Sequence, residues 1–481
     1  MTTSIIKTRF APSPTGNLHI GGARTALYSY LWAKKMGGEF LLRIEDTDRT
    51  RYQATAEESI FSGLKWLGLN WDGEVLYQSK RTELYKQHID KLLASKKAYY
   101  CFCTPERLQL MREIQQKKQR APKYDKTCLH LSKAEIEEKL TNKEPYVVRL
   151  NVPDQGEIIV QDLVRGKITF QCQDIDDQIL LKSDGFPTYH LANVVDDYAS
   201  GITHVIRGEE WIPSTPKHVL LYRAFGWDTP QFAHLSLFIK KGGGKLSKRE
   251  GATALLEYKA QGYLPEAVVN FIAMLGWNPK STQEMFNLEQ LIQQFDLNQV
   301  HTANPIFDTI KLDWYNNQYI KQYTTIQLTE LCRPYLDKQN IVNAPLHTVE
   351  KIIALEQPRL KKLSDIKNET DFFFTETLNY PATLLLWKKN TPAQTKIYLT
   401  ALANYLAQNN NDEIWSNQKT LETNIITWIK TAGYNNGDIL WPLRVALTGK
   451  PASPSPFEVA SILGKTKTLQ RIYAAITLLQ S

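Results

Sequence analysis

His19 and a run of cations far downstream are the residues whose types and settings point to chemistry. His19 sits near the end of FAPSPTGNLHIGG, residues 10–22, where Pro12 and Pro14 stiffen the approach and Gly21 and Gly22 open a helix. A helix N-terminus carries unpaired N–H groups and partial positive charge, so it favours phosphate. Glycine there leaves no Cβ between the backbone and a nucleotide, and an imidazole in the same turn can donate to a phosphate oxygen. Taken alone, the turn reads equally well as a tight structural connection. The second element, Gly242-Gly243-Gly244-Lys245-Leu246-Ser247-Lys248-Arg249, sets glycines beside cations. It is either a solvated surface loop or an arm that brings positive charge to a phosphate chain and stabilises a departing pyrophosphate.

Cys101, Cys103, Cys128 and His130 form a CxC…CxH set. Three thiols and an imidazole suit tetrahedral zinc, and four protein ligands leave no position for water, so the role would be structural. The alternative is three buried cysteines and a surface histidine. Tyr124 falls close enough to be a neighbour. With Cys172 and Cys332 the cysteines are few and odd in number, which excludes a disulfide framework.

These residues need elements to hold them. The run Ile5–Phe10 is β-prone, an amphipathic helix follows to a cap at Gly37-Gly38, and Glu39–Ile44 reads as a strand ending at Glu45-Asp46-Thr47-Asp48. That is a βαβ unit, and in a parallel sheet ligands sit at the carboxyl ends of the strands. Thr104-Pro105-Glu106 opens a charged helix, 105–120, with threonine as cap. Short β-prone runs follow at 145–150, 157–160 and 167–170. The α/β texture returns from Tyr189 to about Phe238, and beyond Leu264 the chain is mostly helical. Ser455-Pro456-Phe457-Glu458 marks the start of the last helix as a capping box. No internal repeat is visible. The expected fold is an α/β N-terminal half, a Rossmann-type parallel sheet with an inserted domain, followed by an α-helical C-terminal half.

The chain has 481 residues, long enough for several domains, and 42% hydrophobic residues to fill their cores. A net charge of +8 permits a polyanionic partner without demonstrating one. No leader pattern or membrane-length apolar run stands out, so a cytoplasmic protein with no membrane partner is expected.

The two elements together, in this order, resemble the "HIGH" and "KMSKS" signatures of class I aminoacyl-tRNA synthetases. With Arg9, the run Arg43–Arg49, Tyr189–Asp197 and Arg207-Gly208-Glu209-Glu210-Trp211, the chain is similar throughout to the bacterial glutamyl-tRNA synthetase family. Gly22 replaces the second histidine of the signature, as is usual for the glutamate type. The resemblance implies ATP-dependent attachment of L-glutamate to the 3′ end of tRNA(Glu) through a glutamyl-adenylate. His19, Lys245 and Lys248 would be catalytic, and His19, Gly21, Glu210, Trp211 and Lys248 would bind ATP. Arg9, Ser13, Glu45, Tyr189, Asn193 and Arg207 would bind glutamate, with arginine's planar fork meeting a carboxylate and Glu45 meeting the ammonium. Mg²⁺ would arrive with ATP, and zinc would occupy the cysteine set, as in some members of the family. Implied domains are 1–100 and 189–239 for the two catalytic halves and 101–188 for the acceptor-end insertion. Residues 240–322 would form the cationic loop and stem-contact region, and 323–481 the anticodon-binding region, where Arg359 matches an anticodon-reading position. A monomer without an obligate protein partner is expected. Whether tRNA(Gln) is a second substrate stays open.

Overall fold

A computed structural model describes residues 5–48, 50–244, 254–336, 344–408 and 413–480. Lys245 and Lys248, and Arg49 of the acidic run, lie outside the described residues. The chain divides into two compact units, one of residues 1–260 and 265–312, the other of 261–264 and 313–481.

In the first unit, β1 (Lys7–Phe10) pairs in parallel with β2 (Glu39–Ile44), and β2 with β3 (Leu76–Tyr77). The strand starts at Lys7 rather than Ile5. On the other side of β1, Thr203 donates from its amide to the Lys7 carbonyl at 2.9 Å and accepts on its hydroxyl from the Lys7 amide at 2.9 Å. Thr203 leads into the strand His204–Gly208, which pairs in parallel with the strand Gln231–Leu235. Spatial order therefore reverses between β1 and His204–Gly208. That reversal opens a crevice at the carboxyl ends of the strands.

Strands in and immediately before 101–188 go to two places. β4 (Ala98–Cys101), β5 (Val147–Leu150) and β8 (Ile179–Leu181) form a small antiparallel sheet. The hairpin β6 (Glu157–Asp162) and β7 (Gly166–Gln171) instead extends the parallel sheet, β6 meeting Gln231–Leu235 at Phe232. Numbered on, His204–Gly208 is β9 and Gln231–Leu235 is β10.

The helix Ile20–Lys35 carries Leu27, Leu31 and Ala23 fully buried against Phe40, Leu42 and Ile44 of the sheet. Truncating one such leucine to alanine costs about 2–5 kcal/mol. Parallel strands covered on both faces should be apolar throughout. Here β1, β2 and β9 each bury an arginine near the carboxyl end, namely Arg9, Arg43 and Arg207. A buried charge in an apolar strand is costly unless it serves a site.

The described residues of the second unit contain no strand. Their core gathers Leu399, Leu402, Ile425, Leu443 and Ile472, all nearly inaccessible. The last helix, Pro456–Leu478, starts as expected: the Ser455 amide donates to Glu458 Oε2 at 2.8 Å and the Ser455 hydroxyl caps the first turn. Gly464, at φ 74° and ψ 172°, breaks it, a conformation only glycine adopts without strain.

Candidate active site

Helix Ile20–Lys35 begins at Ile20, and its cap is His19 itself. The imidazole Nδ1 accepts from the Gly21 and Gly22 amides at 3.1 and 3.2 Å. This corrects the expectation that those amides are open to phosphate, because the side chain already satisfies them. Since Nδ1 accepts, the ring proton of the neutral form sits on Nε2. A Cβ on Gly21 would stand 3.1 Å from the His19 ring, closer than an ordinary contact, so glycine leaves the ring its room. The Pro12 carbonyl accepts from the Glu45 amide at 3.0 Å and Pro14 from Gln53 at 2.9 Å, so the turn is tied to the end of β2.

A cavity of about 1600 Å³ opens at the strand ends. It exceeds the roughly 300–1,000 Å³ of an ordinary small-molecule pocket. Arg9, Ser13, His19, Gly21, Glu45, Tyr189, Asn193, Arg207, Glu210 and Trp211 all line it, although they come from positions 9 to 211. Gly244 lines it too. Ala254 pairs with His19 as a β-bridge, and the Leu255 amide donates to the Leu18 carbonyl at 2.7 Å. Both flanks of the cationic run thus abut the site.

Charge at and behind the cavity wall is uneven. Asp197 accepts from Arg9 Nε at 3.0 Å and from Arg43 Nη1 at 2.5 Å. Arg43 Nη2 also donates to Glu45 Oε1 at 2.9 Å. Burial opposes ionisation of Asp197, but Arg43 and Arg9 outweigh it and hold the carboxyl below its usual range. Burial pushes Glu45 up despite Arg43, so a ligand ammonium there would be welcome. The Asn193 amide lies among these groups. In the orientation that satisfies both its ends it donates to Asp197 Oδ2 at 3.3 Å and accepts from Arg43 Nη2 at 2.7 Å.

Three buried guanidiniums, Arg9, Arg43 and Arg207, therefore face two carboxylates. Arg207 is 5% exposed and its partners are all neutral: Tyr189, Thr215, His218, His234 and the Trp211 carbonyl. Among the described residues, the two terminal nitrogens of Arg9 meet no acceptor. Unbalanced guanidiniums facing a cavity define an anion site, and arginine's geometry suits a carboxylate or a phosphate. Glu210 and Trp211 occupy the turn Glu209–Ser214, with the Trp211 ring 4.6 Å from that of Tyr189.

Arg43, Asp197, His218 and His234 were not singled out from sequence. One signal was available: Arg43 is an arginine inside an otherwise apolar strand, EFLLRI.

The thiols of Cys101, Cys103 and Cys128 lie within 4.8 Å of one another and could hold a metal. His130 does not join them. Thr127–His130 is a 3₁₀ turn, in which residues two apart face different ways: Cys128 is buried and His130 exposed. Tyr124 stands there instead, its hydroxyl 3.2 Å from Cys103 Sγ, and the Arg149 guanidinium lies 4.1 Å from its ring. Three soft thiols beside a buried cation fit zinc, with the phenol oxygen rather than His130 nearest the fourth position.

Arg359 lies in the turn after the helix Leu346–Glu356, not on a helix face. Glu356 Oε2 accepts from its Nε at 3.2 Å, and the guanidinium stays half exposed.

A parallel sheet reversing at β1, a histidine-capped helix and a large crevice lined by the buried Arg9 and Arg207 define the catalytic domain of a class I aminoacyl-tRNA synthetase. Residues 5–314 match the family described as tRNA synthetases class I (E and Q), catalytic domain, and residues 327–476 match an anticodon binding domain. The chain belongs to the glutamate-tRNA ligase family of that class. It is 43% identical over 490 residues to the glutamate-tRNA ligase of Clostridium tetani, covering 100% of this chain and 99% of that one. With glutamate-tRNA ligase 2 of Thermoanaerobacter pseudethanolicus the figure is 41% over 479 residues, 99% of each. The crystal structure of a glutamate tRNA ligase from Elizabethkingia meningosepticum in complex with its amino acid superposes with a TM-score of 0.89 at 36% identity, covering 98% of this chain and 99% of that one.

Proposed function

We propose that the protein attaches L-glutamate to the 3′ end of tRNA(Glu) in two ATP-dependent steps. The observation that carries this is the surplus of buried guanidinium at the crevice. Arg207 has no carboxylate partner and Arg9 turns two terminal nitrogens without acceptors among the described residues toward the ligand space.

The glutamate side-chain carboxylate bridges Arg9 and Arg207, and Glu45 with Asn193 receives the ammonium. This leaves the α-carboxylate facing the His19 turn. Its oxygen attacks the α-phosphorus of ATP, forming the acyl-phosphate bond of glutamyl-adenylate and expelling pyrophosphate. The terminal 2′-hydroxyl of tRNA then attacks the activated carbonyl and releases AMP. No enzyme nucleophile is required, so catalysis is positioning and charge stabilisation. The His19 Nε2–H donates to phosphate, Gly21 keeps that ring in place, and Glu210 and Trp211 bound the adenosine. Lys245 and Lys248 neutralise the leaving pyrophosphate, and Mg²⁺ enters with ATP.

Residues 101–188 hold the acceptor end and 323–481 read the anticodon, Arg359 among them. Cys101, Cys103 and Cys128 would hold zinc, which would brace the base of the insertion. A cytoplasmic location is part of this reading; among the described residues no helix is long and apolar enough to cross a membrane.

ATP–pyrophosphate exchange, run with each standard amino acid in the presence and absence of tRNA(Glu), tests the reading. Exchange specific to glutamate supports it; specificity for another amino acid overturns it. Charging assays on purified tRNA(Glu) and tRNA(Gln) decide whether the second is also a substrate.

A further inference from the structure

Arg207 has no carboxylate, so other groups must hold it in place. Nε donates to His234 Nε2 at 3.1 Å, Nη1 to His218 Nδ1 at 3.3 Å and to the Tyr189 hydroxyl at 3.3 Å, and Nη2 to the Thr215 hydroxyl at 2.9 Å. The Phe232 ring packs 5.4 Å from its Cζ. A guanidinium has no lone pair to offer, so each ring nitrogen facing it must be bare. That condition propagates outward. His234 must carry its proton on Nδ1, where Asp162 Oδ2 accepts it at 2.6 Å. His218 must carry its proton on Nε2, which donates to His190 Nδ1 at 3.1 Å. His190 then carries its own on Nε2. Three imidazoles are thus fixed neutral, with His218 and His234 in opposite tautomers.

We propose that His218 and His234 are positioning residues for substrate specificity: oriented by His190 and Asp162, they lock the Arg207 guanidinium so that it accepts a side-chain carboxylate and rejects a carboxamide. The proposal rests on the glutamate reading given above. A carboxylate offers only acceptors to Arg207. An amide must place its NH₂ somewhere, and a guanidinium pinned on both sides cannot turn away from it. The Tyr189 hydroxyl accepts from Arg207 with one lone pair, which leaves its proton available to a ligand carboxylate.

Neutrality is protected by the surroundings. The charged and titratable groups about His218 are Arg207, Arg9, Lys217, His190 and Tyr189. Burial and the cations among them keep His218 well below its ordinary range. About His234 stand Asp162, Arg207 and Arg165. Burial outweighs the pull of Asp162 and lowers His234 as well. Asp162 is held in turn by the Val164 and Arg165 amides at 3.0 and 2.9 Å.

Paired variants separate acceptor from bulk. His218→Asn keeps an oxygen where Nδ1 lies and His218→Leu does not; His234→Gln keeps one near Nε2 and His234→Met does not. Exchange kinetics with glutamate and glutamine, at saturating tRNA(Glu), are read beside thermal midpoints. For the Leu and Met variants, losing an acceptor to a charged group should raise the KM for glutamate about tenfold or more and lower the glutamate-over-glutamine preference about tenfold. The turnover number and the KM for ATP should stay within about twofold, since Arg207 does not touch the phosphates. The Asn and Gln variants should recover most of both losses. Equal behaviour of Asn and Leu, and of Gln and Met, overturns the proposal. Long-range ¹H–¹⁵N spectra of ¹⁵N-histidine protein give a readout that needs neither substrate nor a folded variant. His218 as the Nε2–H form and His234 as the Nδ1–H form, both neutral at pH 6, are required, and any other pattern overturns the network. Absence of glutamate exchange in the unmodified enzyme would instead sink the function reading, and the spectra would still decide whether Arg207 is held this way.

Discussion

Replacing Arg9 by glutamine removes one of the two buried guanidiniums, Arg9 and Arg207, assigned to the ligand carboxylate and separates two effects that usually travel together. Losing half of a buried ion pair generally costs about 3–5 kcal/mol, because the surviving charge is stranded. Asp197 would not be stranded, since Arg43 remains 2.5 Å away. The cationic surplus also falls by one. Arg9→Gln should therefore cost the fold clearly less than about 3 kcal/mol. The ligand has no such reserve. A side-chain carboxylate held between Arg9 and Arg207 loses one of two buried partners. The same scale then predicts about 3 kcal/mol of binding, or roughly a hundredfold in affinity. Calorimetric titration of glutamate, with ATP binding measured separately and a thermal melt as control, reads all three quantities. The reasoning fails if glutamate affinity stays within about threefold of the unmodified protein, or if ATP affinity drops as far as glutamate affinity does.

Other consequences are equally direct. His19→Asn preserves an acceptor for the Gly21 and Gly22 amides but loses the Nε2–H. Thermal stability should hold, while loss of one phosphate donor slows adenylate formation about 10²–10³-fold in single-turnover measurements. His19→Ala should lose the same activity and also about 1 kcal/mol of stability, seen in denaturant titration, because the cap goes with it. His130→Ala should leave zinc content by atomic absorption unchanged, whereas Cys101→Ser and Tyr124→Phe should lower it. Acid stability follows from the histidines. Burial holds His218 and His234 below the ordinary value and His190 at about 4. The unfolded chain binds these protons near pH 6.5 and the folded chain does not, so unfolding free energy is full above that pH and falls as pH drops toward 4. The slope is about 1.4 kcal/mol per pH unit for each such group, measurable by urea titration at stepped pH.

How far the sequence reaches depends on whether a signal is local. The His19 turn, the strand Glu39–Ile44 and the Ser455 capping box are written within a few residues each, and the structure carries all three. Arg9 and Arg207 were reached only through the family resemblance, and nothing in the sequence marked their setting. Asp197 meets Arg9 and Arg43 across wide sequence separations, and no periodicity marks such a meeting. The tautomer chain through His190, His218 and His234 is hidden for the same reason, since those residues sit on two helices and a strand that converge only in the fold. His130 was misplaced because CxH spacing suggests ligation, whereas the tight 3₁₀ turn points the histidine outward and brings Tyr124 to the thiols. The hairpin 157–171 likewise reads as part of an insertion, but its β6 strand joins the parallel sheet beside β10 and delivers Asp162 to His234.

The central claim is that a side-chain carboxylate lies between Arg9 and Arg207 while the activated end faces His19. A crystal grown with a non-hydrolysable glutamyl-adenylate analogue tests this most directly. The account predicts the analogue's terminal carboxylate within hydrogen-bonding distance of both guanidiniums, its ammonium at Glu45, and its phosphate mimic at the His19 ring. A side chain directed toward solvent or toward the Trp211 side, with Arg207 still satisfied by its neutral partners alone, would contradict it.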